Sequence, residues 1–265
     1  MHSAFRLVGK YLKYYVSASN GRGHGIHSPF VYAFVKEVLR SRSSDNVYES
    51  IEGIRARLLK DSTFLEVDDF GAGSSKGLSS RRMIRTIAST SLKSPRYAQL
   101  LFRMAAYYRP KVLLELGTSL GITTSYLSRA VPESKVFTLE GSGSVAERAE
   151  IIFKEQQLKN ITLLKGSFEK TLPDLISALP KIDFVFMDGH HQYEATIRYF
   201  EWILPKLQAS SIIVLDDIHW SNGMEKAWDE IRRHPRVSLS IDLFFIGILF
   251  FRTEQFQPEH FVIRF

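Results

Sequence analysis

From Lys111 onward, short apolar runs alternate with longer amphipathic stretches, and this alternation restricts the fold more than any other feature of the chain. The runs are KVLLELG (111–117), KVFTLEG (135–141), ITLLKGS (161–167), IDFVFMD (182–188) and SIIVLDD (211–217). Between and after them come SYLSRAV, AERAEIIFKEQQL, EATIRYFEWILPKL and GMEKAWDEIRR. Runs rich in β-branched and aromatic residues, each closed by Gly or Asp, read as strands buried on both faces. Alternation with helices then implies an α/β fold with a parallel, doubly wound sheet. VSLSIDLFFIGILFFR differs, because its two apolar runs are separated by Ile246-Gly247 alone. That leaves no room for a crossover helix and predicts an antiparallel hairpin at the carboxyl end.

The first hundred residues read as helical. FRLVGKYLKYYV places Phe5, Val8, Leu12 and Tyr15 on one face and Arg6, Lys10 and Lys13 on another. Ser28-Pro29 and Ser94-Pro95 each read as an N-cap with proline in the first turn. Residues 41–93 are mixed and Ser-rich, without a clear period. The expected division is a basic, mainly helical extension over 1–93 and a cofactor-binding domain over 94–265.

Composition narrows the function. The absence of cysteine excludes disulfides, thiolate zinc sites and cysteine nucleophiles, and fits a reducing compartment. No apolar run reaches the roughly eighteen residues needed to span a bilayer, and no signal-peptide core is present, so the chain reads as cytoplasmic. Residues 1–111 hold 19 Lys+Arg against 8 Asp+Glu, and residues 112–265 hold 16 against 20. This asymmetry fits an anionic partner near the first part, or docking of the two parts on each other.

Two glycine-rich turns compete for the cofactor, DDFGAGSSKG (68–77) and LELGTSLGIT (114–123). The second follows an apolar strand and runs straight into a helix that contains Thr123, whose free N–H groups can meet an anionic group. It also has an acid at the end of the next strand, Glu140, suited to the two ribose hydroxyls of a nucleoside. The first has no Asp or Glu between Phe70 and Leu114 to play that part. The spacing Gly117-x-x-x-Gly121 places Ser119 where a dinucleotide fingerprint has glycine, and Glu115 just before the turn disfavours a pyrophosphate but suits a cationic ligand.

These residues resemble the class I S-adenosylmethionine-dependent methyltransferases over about 94–253. The resemblance implies S-adenosyl-L-methionine as cofactor, a seven-stranded sheet with an antiparallel last strand, and adenine contact at Ser167-Phe168. Strands four and five end MDGHHQYE and VLDDIHW, bringing Asp188, Asp216 and Asp217 to one crevice. Three converging carboxylates call for a hard divalent cation, Mg²⁺ foremost, with Ca²⁺ or Mn²⁺ as alternatives. The pattern is similar to the catechol-type, metal-dependent O-methyltransferases and their relatives with D-G-x-H-x-Y and D-D signatures. Asp217 stands where the narrower family has Asn. His191 occupies the position of that family's general base, a Lys, while His219 and Trp220 are candidates for substrate contact.

The resemblance implies methylation of a small hydroxylated, perhaps anionic, molecule. The competing readings are an RNA methyltransferase using the basic first part, and a non-catalytic cofactor-binding scaffold. Against nucleic acid, no RNA-binding module and no Asn-Pro-Pro-aromatic signature is present. A homodimer is compatible with the leading reading. DDFGAGSSKG is left as a Gly/Ser surface loop, or as a lid that grips an anionic group with Lys76, Arg81, Arg82 and Arg85.

Overall fold

A computed structural model describes residues 2–19, 21, 27–41, 46–68, 79–254 and 257–265. In chain order, helices α1 (Ala4–Ser17) and α2 (Pro29–Phe34, continued by a π turn over Val35–Leu39) precede α3 (Asn46–Leu58). Strands β1 (Phe64–Asp68) and β2 (Ser79–Met83) follow, then α4 (Ile84–Ser91) and α5 (Pro95–Tyr108). Next come β3 (Val112–Leu116), α6 (Ile122–Ala130), β4 (Lys135–Glu140), α7 (Gly143–Glu155), β5 (Ile161–Lys165) and α8 (Phe168–Ala178). The remainder is β6 (Ile182–Met187), α9 (Tyr193–Ile203), β7 (Leu207–Asp216), α10 (Asn222–Arg232), β8 (Leu239–Asp242), β9 (Ile246–Phe250) and β10 (Glu259–Val262). Two compact units divide these elements, Ser41–Ala178 on the one hand and Met1–Arg40 with Leu179–Phe265 on the other.

Each unit has its own run of strands, three in Ser41–Ala178 and five in the other. In Ser41–Ala178 the order is β3-β4-β5, all parallel, with α6 and α7 as crossovers. Every side chain from Leu113 to Leu116 is buried, as a strand covered on both faces requires. A separate antiparallel hairpin pairs β1 with β2 in the same unit. Its inward Leu65 and Val67 pack on a cluster that includes Ile51, Ile84, Ile87 and Ile152, while Phe64, Glu66 and Asp68 face outward. FLEVD is therefore a half-buried ribbon strand, which accounts for its carboxylates. Ser28 and Ser94 do stand at N-caps before proline, yet neither hydroxyl caps its helix.

In the other unit the order is β10-β8-β9-β7-β6. β6 pairs with β7 in parallel, and β9 runs against both β7 and β8. The expected hairpin is present, but its turn lies at Leu243–Phe245, before Ile246-Gly247. Phe244 adopts φ 71° there, held by its N–H on Asp242 Oδ1 at 2.7 Å. Gly247 serves packing instead. A Cβ at this position would lie 2.5 Å from the ring of Trp228, which is buried. Gly247→Ala is expected to cost about 1–3 kcal/mol by overpacking, read as a lower urea midpoint. An unchanged midpoint would show that the indole has room to move.

Strand β10 follows the hairpin and was not among the strands expected. It pairs in parallel with β8, and its end is fastened to α1. Tyr14 donates its hydroxyl to the Ile263 carbonyl at 2.5 Å, and Ser19 forms a parallel bridge with Ile263. Tyr14, Ala18 and Phe244 make a small core there, with Leu7, Tyr11, Phe245 and Val262 around it.

Candidate active site

Within Ser41–Ala178, the turn after β3 is built from three residues with positive φ: Gly117 at 104°, Ser119 at 48° and Gly121 at 76°. A Cβ on Gly121 would lie 2.6 Å from the Phe153 ring, so the turn tolerates only glycine at this point. The N–H groups of Gly117 and Thr118 both reach the Leu139 carbonyl, at 3.0 and 3.1 Å, which locks the turn to the end of β4.

That lock places Glu140 over the turn. Its Oε2 accepts from the Ser119 N–H at 2.8 Å and its Oε1 from the Ser142 N–H at 3.0 Å. Burial pushes the Glu140 carboxyl above the ordinary range, against the pull of the N–H groups of Ser142, Ser119 and Gly141. Ser119 Oγ is itself buried and has no hydrogen-bond partner among the described residues, so the turn offers a polar atom as well as an oriented carboxylate. Both suit the hydroxyls of a bound nucleoside. Ser167, and Phe168 as the first residue of α8, follow Gly166, whose N–H bonds the Glu140 carbonyl at 2.9 Å.

Glu115 is fully buried. Its Oε2 accepts from Thr124 Oγ1 at 2.5 Å and Thr138 Oγ1 at 2.7 Å. The hydroxyl of Thr118 lies 2.6 Å from that of Thr138, which extends the chain to the turn. One carboxylate thus joins β3, β4, α6 and the glycine turn. Thr123, also buried, stands in the first turn of α6.

The hairpin of β1 and β2 is anchored in this neighbourhood, with the Asp68 N–H on Ser142 Oγ at 3.2 Å and Ser144 Oγ on the Glu66 carbonyl at 2.6 Å. Arg81 pairs with Glu66 across the ribbon and stacks over Phe64 at 4.4 Å, and Arg82 Nε reaches Ser80 Oγ at 3.1 Å. Arg85 lies exposed in the first turn of α4. Residues 69–78, with most of DDFGAGSSKG and Lys76, lie outside the described residues.

In the other unit, Asp188, His191 and Asp216 bring one ligand atom each within 4.8 Å of one another. His191 Nε2 lies 3.5 Å from Asp188 Oδ1. Two carboxylates and an imidazole fit a divalent cation. Asp217 is not a member of this group. Its backbone turns left-handed at φ 53°, with its N–H on the Phe245 carbonyl at 2.7 Å.

The neighbouring histidines face other partners. His190, at φ 64°, places Nδ1 2.5 Å from the hydroxyl of the buried Tyr199. His219 is held at both nitrogens, Nε2 on Asp242 Oδ2 at 2.8 Å and Nδ1 on Glu225 Oε1 at 3.2 Å. Burial opposes its charge, but Asp242 and Glu225 outweigh it and raise the His219 pKa above the ordinary value. Lys10 and His2 of the amino-terminal segment also reach Glu225, at 2.6 and 3.5 Å. Trp220 is partly exposed and accepts the His2 N–H at its carbonyl, 2.9 Å away. His219 therefore fastens the segment after β7, and its nitrogens are already engaged.

Residues 114–218 match a family model described as a methyltransferase domain. Over this segment the chain resembles the class I S-adenosylmethionine-dependent methyltransferases. It is 27% identical over 128 residues to a catechol O-methyltransferase of Niastella koreensis, across 47% of this chain and 57% of that one. To a probable O-methyltransferase of Mycobacterium tuberculosis it is 30% identical over 118 residues, across 41% and 50%. The chain thus spans about half the length of these relatives. The fold of an O-methyltransferase from Bacillus cereus in complex with S-adenosylhomocysteine matches it with TM-score 0.56 and 20% identity, covering 83% of this chain and 97% of that one. An O-methyltransferase structure from Klebsiella pneumoniae gives TM-score 0.57 at 16% identity, covering 80% and 92%. The segment matched by the methyltransferase domain contains both the glycine turn with Glu140 and the Asp188–His191–Asp216 group.

Proposed function

We propose that the protein transfers the methyl group of S-adenosylmethionine to a hydroxyl oxygen of a small hydroxylated molecule, with help from a divalent cation. The observation that carries this reading is the convergence of Asp188, His191 and Asp216 at the ends of β6 and β7. On the donor side, Glu140 accepts the two ribose hydroxyls, Gly117 to Gly121 with Thr123 shape the turn beneath the cofactor, and Ser167-Phe168 border its base. Glu115 acts through its threonines to hold that turn in place.

On the acceptor side, Asp188 and Asp216 would hold the cation, with Asp217 adding negative charge beside them. A divalent cation bound there would lower the pKa of the acceptor hydroxyl and fix its orientation. His191 takes the hydroxyl proton, and Asp188 at 3.5 Å stabilises the imidazolium that results. S-adenosylmethionine bound at the glycine turn would supply the methyl group, a C–O bond forming as the S–CH₃ bond breaks and leaves a neutral thioether. Opposite charges vanish in this step, so positioning and exclusion of water favour it. Trp220 supplies an apolar wall for a flat acceptor, and Arg81, Arg82 and Arg85 are the candidate grip for an anionic one.

The test is a panel of catechols, phenols and hydroxy acids incubated with S-adenosylmethionine and Mg²⁺, Mn²⁺ or Ca²⁺. Release of S-adenosylhomocysteine together with a product heavier by one methylene is expected for at least one acceptor. Cofactor binding without turnover of any hydroxylated acceptor would remove the O-methyl reading.

A further inference from the structure

Helix α1 is apolar on more of its circumference than the protein covers. Tyr14 and Ala18 are buried, and Leu7 and Tyr11 pack beside them on Phe244 and Phe245. The next face round the helix carries Phe5, Val8, Leu12, Tyr15 and Val16, exposed at 93%, 58%, 58%, 48% and 81%. These positions follow the three-and-four spacing of one helical stripe. The helix cannot simply turn to bury them. Tyr14 is bonded to Ile263, Lys10 to Glu225 and Arg6 to Asn222, so its orientation is fixed from the opposite side. A contiguous exposed stripe of this kind marks an interaction surface.

Charge decides the occupant. Residues 1–36 contain no Asp or Glu. Lys13 is exposed along one edge of the stripe, and the Arg264 guanidinium lies 4.4 Å above the Tyr15 ring at its far end. A second copy of α1 would bring these cations against their equals with no acid of the segment to offset them. A helix of 14 residues, about 21 Å long, also falls short of the surface that a stable dimer buries. An anionic bilayer reverses both arguments. It accepts a single stripe of apolar side chains, and each cation at its surface adds attraction. Trp220, partly exposed and held at the start of α1 by the His2 N–H, is a residue type that favours the headgroup level. No helix among the described residues is long and apolar enough to cross a membrane, so the contact is with the surface.

We infer that α1 docks the protein onto an anionic lipid surface, with Phe5, Val8, Leu12, Tyr15 and Val16 entering the headgroup–acyl boundary and Lys13 and Arg264 facing the phosphates. The test is co-sedimentation of the full chain with vesicles of equimolar phosphatidylcholine and phosphatidylglycerol, and with phosphatidylcholine alone. Partition onto the anionic vesicles is expected, weakening as salt is added. The triple variant Phe5→Gln, Leu12→Gln, Val16→Gln should partition at least about a hundredfold less, and Lys13→Gln about fivefold less. The altered side chains project into solvent, so an unchanged melting temperature and S-adenosylhomocysteine affinity confirm a folded variant. Three results would overturn the inference. They are a wild-type protein left in the supernatant, a triple variant that partitions as wild type does, and a wild-type dimer in sedimentation velocity that the triple variant converts to monomer.

Discussion

His191→Ala should lower kcat by about 10²–10⁴-fold while the affinity for a divalent cation is unchanged, because the substitution removes a proton acceptor and leaves both carboxylates in place. Chelation should do the reverse in kind. On the proposed mechanism, removing a cation held by Asp188 and Asp216 should abolish transfer, yet leave S-adenosylhomocysteine binding largely intact, since the proposed cofactor site is Glu140 and the glycine turn. Single-turnover rates and Mn²⁺ titration, measured on the same preparations, separate the two roles. If His191→Ala loses the cation as well as the rate, the imidazole is a third ligand and the base lies elsewhere. If the chelated enzyme turns over normally, the Asp188–His191–Asp216 group has no cation role in catalysis.

Glu140→Ala should weaken S-adenosylhomocysteine binding by roughly 1.5–3 kcal/mol for each ribose hydrogen bond it removes, the range for bonds to a charged acceptor. The pH dependence is a sharper test. Burial holds the Glu140 pKa above the ordinary value, and only the ionised form accepts both hydroxyls. Affinity should therefore decline as pH falls through that raised pKa, before an ordinary glutamate near 4.3 would titrate. Binding favours the carboxylate, so it should release a proton in this range, visible by calorimetry in buffers of different ionisation enthalpy. The stability of the free protein has the complementary sign. A raised native pKa makes the contribution of Glu140 greatest below the unfolded value, and that contribution is lost as pH rises through the native one. Affinity that is flat down to the ordinary carboxylate range, with no proton release, would place the ribose elsewhere.

The central strands were legible because burial on both faces leaves no freedom in composition, and Leu113 to Leu116 or Ile182 to Met187 could hardly be anything else. Strand β10 was not, since EHFV is half exposed and owes its place to pairing with β8 rather than to its own pattern. The carboxyl-terminal hairpin was foreseen with its turn misplaced, because Gly247 looks like a turn residue until the Trp228 ring above it is known. Glu115 shows the same limit at the site. Its position before a glycine turn fits a ligand-facing acid, but the hydroxyls that occupy Oε2 come from Thr124 and Thr138, nine and 23 residues away. The three histidines after β6 and β7 were told apart in sequence only by the family resemblance, which set His191 at the general-base position. Tyr199, Asp242 and Glu225 separate them, and none of these pairings follows a local rule.

The fastening of α1 to β10 makes two segments that meet across a separation of 249 residues one another's support. Tyr14 has its hydroxyl on Ile263 and receives the N–H of Phe265 on the same oxygen, while beside them Ser19 donates its N–H to the Val262 carbonyl and accepts the Arg264 N–H. Neither end is dispensable on its own account. Trimming the last few residues would withdraw the acceptor that orients α1, and an amino-terminal fusion that tugs on Tyr14 would loosen the outermost strand. During synthesis β10 emerges long after α1, so α1 gains its fixed orientation only once β10 has been made.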